Sequence, residues 1–373
     1  MLFCEDLSVS TPPHNPISFG TTGRPRARGL GLPLPGTPGP LNAITDVPGI
    51  EVGMTTVVEG SGVRTGVTAV LPRARGHLLH PVWSGMFSLN GNGEMTGSHW
   101  IRDGGWFTGP ITITNTFSVG LAHHATLRWM AKTFPQALAD NTWLLPVAAE
   151  TYDGWLNDIA GQHVTEAHVL AAIDAARPGP VAEGNVGGGT GMICYEFKGG
   201  TGTASRRFRA DCSEFTMGAL VQANHGLREW LTVCGARVGE KMPENTVWPR
   251  ETGSIIVVLA TDAPLIPTQL ERLARRASIG IGRGGTPSGN NSGDIFLAFS
   301  TANDPGPLPE KPRLHFDALG NETLDAVFLA AVECVEEAVL NVLIAAETMT
   351  GKNGRRVDAL DHDRLLALIG PKK

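Results

Sequence analysis

Cysteine is scarce in this 373-residue chain. There are five (Cys4, Cys194, Cys212, Cys234 and Cys334), an odd number with no CxxC and no short regular spacing. That excludes a disulfide framework and a spaced zinc site, and leaves free, mostly buried thiols as the expectation. Basic residues are outnumbered, 30 Lys and Arg against 36 Asp and Glu, for a formal charge of −6. The locally basic stretches, 24–28 and 272–276, are interrupted by small or apolar residues, which speaks against nucleic acid as a partner. No apolar run approaches the length of a membrane span. The opening residues, MLFCEDLSVSTPPHNPISFG, lack the basic start and apolar core of a signal peptide. A soluble, cytoplasmic protein without membrane contact is expected. Aromatic residues make up 6%, with two tyrosines in all.

Glycine is what the chain has in excess, 47 residues concentrated at 184–191 and 280–293. Glycine at that density predicts tight turns and backbone that must approach something closely. With 42% hydrophobic residues, the chain can bury a sizeable core. Residues 1–40, rich in Pro, Gly, Ser and Arg, read as an arm; from 41 onward no linker or repeat interrupts a single domain. Apolar runs predict strands at 49–59, 67–71, 143–149, 192–197, 207–210, 215–223, 229–233, 255–260 and 294–299. Periodicity and capping residues predict helices at 117–134, 165–176, 267–278, 322–349 and 361–368. Long helices thus separate groups of strands buried on both faces, as two packed sheets with helices outside would require.

Four segments place reactive side chains at element ends. The first is Glu251-Thr-Gly-Ser254 ahead of IIVVLAT. A serine hydroxyl needs a neighbouring base. A cut between Gly253 and Ser254 would supply one, since the freed α-amine has a reference pKa of about 7.7–8.0. Glycine before the cut leaves the carbonyl open, although a glycine–serine turn starting a strand is also ordinary architecture. The second is Asn290-Asn-Ser-Gly-Asp294, where Ser292 and Asp294 share one face if extended; an Asn-Gly turn is the competing reading. The third and fourth are apolar strands ending in polar turns, at Glu150-Thr-Tyr-Asp-Gly154 and Asn224-His-Gly226. Tyr152 and Asn224 offer neutral donors for an oxyanion, and Glu150 could receive a substrate ammonium. Each also fits a satisfied strand terminus. The glycine loop 184–191 lacks the ending of a phosphate loop and reads as a tight connection. His99, His123, His124 and His225 have no partner spacing that nominates a metal, and none is expected.

Taken together, LNAITDVPGIEVG, LNGNGEMTG, ETYDG, NVGGGTGM, QANHG, TGSIIVVLATDAP and SGDIFLAFS, in that order, resemble the L-aminopeptidase D-amidase/esterase and β-peptidyl aminopeptidase family over nearly the whole chain after about residue 40. The resemblance implies an α/β (α+β) fold, a four-layer α-β-β-α sandwich similar to N-terminal-nucleophile hydrolases but differently connected. It implies self-cleavage at Gly253 into residues 1–253 and 254–373, with Ser254 the nucleophile and Ser292 and Asp294 completing a triad. Asn224 and Tyr152 would stabilise the oxyanion and Glu150 hold the substrate's amine. It also implies no cofactor, small peptide or amino-acid amide substrates, and homo-oligomers of the processed heterodimer, commonly four copies. The expected activity is release of N-terminal amino acids through an acyl-enzyme on Ser254, with L-α, D or β residues all open. The alternatives are acyl transfer like that of ornithine acetyltransferase, which the serine at 254 makes less fitting than a threonine would, or a non-catalytic binding protein on the same fold.

Overall fold

The structure is a computed structural model and describes residues 15–139, 142–307 and 313–370. Cys4 and the start of the arm lie outside the described residues.

Two sheets carry the chain. β1 (Glu51–Glu59), β2 (Val63–Leu71), β5 (Ile111–Asn115) and β6 (Val147–Thr151) form a four-stranded sheet in that order. The second sheet has the order β4-β3-β12-β11-β10-β9. Its strands are β3 (Val82–Ser88), β4 (Trp106–Phe107), β9 (Gly200–Ala210), β10 (Ser213–Asn224), β11 (Ser254–Thr261) and β12 (Gly293–Ser300). Two-residue ribbons, β7 (Ile193–Cys194) with β8 (Phe197–Lys198) and β13 (Met349–Thr350) with β14 (Arg356–Val357), sit apart.

Strand alternation sorts the side chains into layers. On β11, Ile256, Val258 and Ala260 face Ile111, Ile113, Val147 and Ala149 of the other sheet, forming the central core. Ile255, Val257 and Leu259 face outward against helices α5 (Pro267–Arg283) and α6 (Leu324–Ala345). Burying each such Val, Leu or Ile contributes roughly 1.5–3 kcal/mol, and doing so on both faces explains why this strand is an unbroken apolar run. The four-stranded sheet is covered in the same way: Val67, Ala69, Leu71 and Ala148 pack against α2 (Val119–Thr133) and α4 (Glu166–Asp174). Helices α1 (Ser98–Gly104), α3 (Pro135–Ala139) and α7 (His362–Ile369) are peripheral. The result is the expected α-β-β-α sandwich. Among the described residues no helix is long and apolar enough to cross a membrane.

Strand direction then sets the site. β11 and β12 run parallel, joined by the α5 crossover, so their first residues lie side by side: Ser254 opposite Gly293. β10 runs antiparallel to β11, and its last residue, Asn224, lies opposite Ser254 on the other flank. Three reactive segments, separated by dozens of residues in sequence, therefore meet at one edge of the sheet. Gln222, one turn of the pleat away, donates from Nε2 to Thr114 O (2.9 Å) and Thr151 Oγ1 (2.8 Å), tying the two sheets together beside that edge.

Several elements differ from the sequence expectation. Residues 229–233 are not a strand; Arg228–Trp230 is a 3-10 turn, because the Arg228 side chain is turned inward to donate to the carbonyls of Tyr195, Glu196 and Met242. The strand expected at 143–149 begins at Val147, and Trp143 is exposed. The run at 192–197 breaks into β7 and β8, with Tyr195 and Glu196 at positive φ between them. The last long helix stops at Ala345, so Met349 enters β13. Of the described cysteines, all free, Cys194 and Cys334 are buried, Cys234 is half-buried and Cys212 exposed. The described part of the arm lies against the body: Arg26 is buried, pairs with Glu183 at 2.7 and 3.0 Å, and donates to the carbonyls of Leu41, Asn42 and Thr203.

Candidate active site

Ser254 opens β11 and is 4% exposed. The residue before it has no room for a side chain, since a Cβ on Gly253 would lie 2.1 Å from the Asn224 carbonyl oxygen and 2.8 Å from His225 Cα. The Gly253 carbonyl accepts a hydrogen bond from the Gly293 N–H at 3.3 Å. The bond expected to be cut is thus pinned between the ends of β10 and β12.

Ser292 and Asp294, both buried, flank that same Gly293, and the Ser292 hydroxyl donates to Asp294 Oδ1 at 2.6 Å. Asp294 Oδ2 is met by the Ser288 hydroxyl. Asn90 holds the turn behind it, donating to Ser288 Oγ (2.8 Å) and to the carbonyls of Ser288 and Gly289 (both 3.0 Å). Burial pushes the Asp294 carboxyl up, and hydrogen bonds from Ser288, Ser292 and the Ile255 amide work against that rise.

Asn224 is oriented on both sides: Oδ1 accepts the Ile193 N–H at 2.8 Å, and Nδ2 donates to the Tyr152 carbonyl at 2.9 Å. That bond joins the end of β10 to the turn after β6. The Tyr152 ring is 44% exposed and folds over Gly154, where a Cβ would lie 2.4 Å from the hydroxyl.

Glu150 sits buried in β6. Its Oε1 accepts the Glu94 N–H at 2.9 Å and its Oε2 meets the Thr116 hydroxyl. Burial raises its pKa, opposed by those two donors, and the nearby Glu94 raises it further. Gly93 lies between Glu150 and the serine edge, because a Cβ there would be 3.1 Å from Glu150 Oε1 and 3.5 Å from Gly293 Cα. Ser254 thus lies between Asn224 and Gly293, Ser292 and Asp294 lie around Gly293, and Glu150 lies behind Gly93; Tyr152 joins this group through its backbone carbonyl, while its ring lies over Gly154.

Sequence reasoning missed Asn90, Thr116, Ser288 and the part played by Glu251. Asn90 stands just past the end of β3, a strand that was not expected, and the polar-residue-at-strand-end signal would have nominated it. Glu251 is buried and accepts the Gly226 N–H (2.6 Å) and the Gly289 N–H (2.8 Å).

The histidines behave as structural groups. His225 is fully buried on the Tyr195 ring, and burial lowers its pKa to about 3, so it is neutral. His123 shares a 3.1 Å hydrogen bond with Thr96. Among the described residues, His77, His80 and Asp304 bring three ligand-type atoms within 4.8 Å of one another, beyond the far end of β12. The Arg73 guanidinium, 3.7 Å from Asp304, already neutralises that carboxylate, so the group is an ion-pair cluster remote from Ser254.

The profile of peptidase family S58 matches residues 42–357. The chain belongs to peptidase family S58. The β-peptidyl aminopeptidase of Sphingosinicella microcystinivorans is 50% identical over 370 residues, covering 92% of each chain. Among solved structures, the L-aminopeptidase D-Ala-esterase/amidase of Ochrobactrum anthropi, described as a serine aminopeptidase and a variant of the Ntn-hydrolase fold, superposes with TM-score 0.88 at 55% identity, covering 93% of this chain and 98% of that one. The β-aminopeptidase of a Burkholderia species gives TM-score 0.85 at 48% identity, covering 92% and 98%. This S58 chain is accordingly a hydrolase, a serine aminopeptidase, and not a non-catalytic scaffold.

Proposed function

We propose that this S58 peptidase activates itself by cutting between Gly253 and Ser254, and that Ser254 then carries substrate acyl groups. The observation that carries the reading is the register of β10, β11 and β12, which surrounds one buried serine with Asn224, Ser292 and Asp294. In the first reaction the Ser254 hydroxyl attacks the Gly253 carbonyl carbon. The C–N bond breaks as the departing amine takes up a proton, and an ester joins Gly253 to Ser254 Oγ. Water then splits the ester into a Gly253 carboxylate and a Ser254 with both hydroxyl and α-amine free. The products are residues 1–253 and 254–373.

In turnover the α-amine accepts the Oγ proton as the hydroxyl attacks the substrate carbonyl, and passes a proton to the leaving amine. Water, giving a proton to the same α-amine, then splits the acyl ester, which releases the N-terminal residue and restores the Ser254 hydroxyl. Asn224 and the Tyr152 hydroxyl donate to the tetrahedral oxyanion. Ser292, held by Asp294, supplies a fixed hydroxyl beside the nucleophile and keeps that proton path oriented. Glu150, buried and two residues before Tyr152, is suited to receive the free amine of the residue released, which makes the enzyme an aminopeptidase rather than an endopeptidase.

Substrates of this kind are short peptides and amino-acid amides. The relatives' names span L-amino-acid, D-alanyl and β-amino-acid acyl groups, and hydrolysis is common to all of them, whereas transfer to a second amine is not named for any. Assembly into oligomers of the processed heterodimer, four copies, belongs to the same reading and rests on the family resemblance alone. Intact mass of the purified protein tests the core of it. Two fragments with Ser254 as a new N-terminus are expected, and one uncut, inactive chain from Ser254→Ala. A cut S254A chain, or an uncut wild type that still hydrolyses aminoacyl p-nitroanilides, overturns it.

A further inference from the structure

Glu251 has no part in the turnover just described, yet it is buried at 7% exposure with both carboxylate oxygens occupied. Oε1 accepts the N–H of Gly226, two residues after Asn224; Oε2 accepts the N–H of Gly289, in the turn that carries Ser288 and leads to Ser292. One side chain from the segment ahead of the cut therefore bridges the two loops that flank Ser254. The fit is close, since a Cβ on Gly289 would fall 2.3 Å from Glu251 Oε2. Gly226 sits at φ +89° against the Tyr195 ring.

A second buried carboxylate holds the same segment further back. Glu196 Oε1 accepts the N–H groups of Val247 (2.5 Å) and Trp248 (2.7 Å), while its Oε2 accepts that of Arg228 (2.8 Å). Residues 247–251 are thus tied at two points. Only Thr252 and Gly253 lie between the second tie and the rigid strand that starts at Ser254.

We infer that Glu251 is a positioning residue for self-cleavage: it fixes the Gly253 carbonyl against the Ser254 hydroxyl, and after the cut it leaves a stub of two residues, Thr252 and Gly253, free to swing clear of the site. The inference rests on the self-cleavage reading above. Its physical basis is geometric. Intramolecular attack depends on holding the reacting atoms within contact distance, and a misplacement of about 1 Å can cost on the order of 100-fold in rate. A carboxylate is suited to the task because it accepts two N–H bonds at once. Glutamine keeps one acceptor oxygen and turns an NH2 towards the other N–H; alanine keeps neither.

The test follows the appearance of the 254–373 fragment over time in wild type, Glu251→Ala, Glu251→Gln, Gly289→Ala and the E251A/G289A pair, together with melting temperature and kcat per cleaved chain. Cleavage in E251A is expected to slow about 10- to 100-fold, with E251Q in between. G289A, which removes no charge but pushes the carboxylate away, is expected to slow cleavage as well, and the pair to be no slower than E251A alone. Across the series kcat per cleaved chain falls by a smaller factor than the cleavage rate. Cleavage of E251A at the wild-type rate overturns the clamp while leaving self-cleavage standing, and so does an equal fall in cleavage and in kcat, which marks a general structural role. If E251A does not fold, G289A and E251Q carry the same decision. A wild type that is never cut, or an S254A chain that is, removes the self-cleavage reading and the clamp with it.

Discussion

Replacing Glu150 by Gln tests the assignment of substrate recognition. The carboxylate is buried, with one donor from the Glu94 N–H at 2.9 Å and one from the Thr116 hydroxyl. A carboxylate oxygen accepts more than one hydrogen bond, so capacity remains for an ammonium. Two unit charges about 3 Å apart attract by about 5.5 kcal/mol at an effective dielectric of about 20. Desolvating both ions consumes part of that, and loss of one partner of a close pair typically costs about 2–5 kcal/mol. E150Q is therefore expected to lose about 30- to 4,000-fold in kcat/KM for substrates with a free amine. The assay compares aminoacyl p-nitroanilides with their N-acetyl forms. Wild type should prefer the free amine strongly, and E150Q should hydrolyse both at similar low rates. Self-cleavage binds no ammonium and should proceed in the variant, which also reports that it has folded. A loss under about 3-fold, or an equal loss with the N-acetyl substrate, refutes the assignment.

The pH profile gives a second view of the same residue. Burial raises the Glu150 pKa, so the acid stays protonated to a higher pH than an ordinary glutamate. Only the ionised form attracts an ammonium. As pH falls through the raised pKa, kcat/KM should fall, starting above the usual carboxylate range. In E150Q that limb disappears; a limb from Asp294, whose pKa burial also raises, remains.

Asn224→Ala should lower kcat by about 10²–10³ through loss of an oxyanion donor, measured on cleaved enzyme, and should lower the melting temperature because the Ile193 N–H and the Tyr152 carbonyl lose their partner. Ser292→Ala, which strips Asp294 of its 2.6 Å donor, should reduce kcat by about 10²–10⁴ with KM little changed, and steady-state kinetics on cleaved enzyme decide it. Asp153, fully buried, has its pKa raised to about 7, chiefly by burial, with hydrogen bonds from Thr65, Asn157 and Asn115 opposing the shift. A carboxyl raised in the folded state stabilises the fold at low pH and loses that contribution as pH rises through about 7. In melting experiments Asp153→Asn should therefore gain on wild type between pH 5 and pH 9, by about 2.7 kcal/mol of stability for the two pH units that separate pH 5 from the raised pKa of about 7; equal shifts at both values refute the burial argument.

The elements that could be read from sequence are those whose burial is written in adjacent residues. β11 and β12 are packed on both faces by apolar side chains, so IIVVLA and IFLAF are unbroken apolar runs, and the shorter run MGALV marks the buried part of β10. β3 and β5 were not legible for the opposite reason. Their sequences, VWSGMFS and ITITN, interleave polar with apolar residues; ITITN buries Thr112 and Thr114, and a polar side chain is cheap to bury only when a distant group answers it. For Thr114 that group is the Gly66 carbonyl on β2 at 2.8 Å, which no local window contains. The strand expected at 229–233 failed through the same kind of distant bond, in which the Arg228 side chain takes carbonyls from the 195–196 turn.

The site divides along the same line. Ser292 and Asp294 were legible as a pair because an i, i+2 spacing in an extended segment implies one face, and a single local geometry is all that the 2.6 Å contact requires. Tyr152, Asn224 and Glu150 stood out as polar ends of apolar strands, but nothing in their spacing says that these strands meet. That follows from the parallel pairing of β11 with β12 and the antiparallel pairing of β10, which together put Asn224, Ser254 and Gly293 in one row. Glu251 is the extreme case. Seen in sequence it is one acid beside a turn; its partners are two backbone amides, 25 residues before it and 38 after it. Backbone amides carry no residue identity, so no pattern of side chains could have announced them. The sequence trace they leave is the pair of glycines, Gly226 and Gly289, and at Gly289 any side chain would displace the carboxylate.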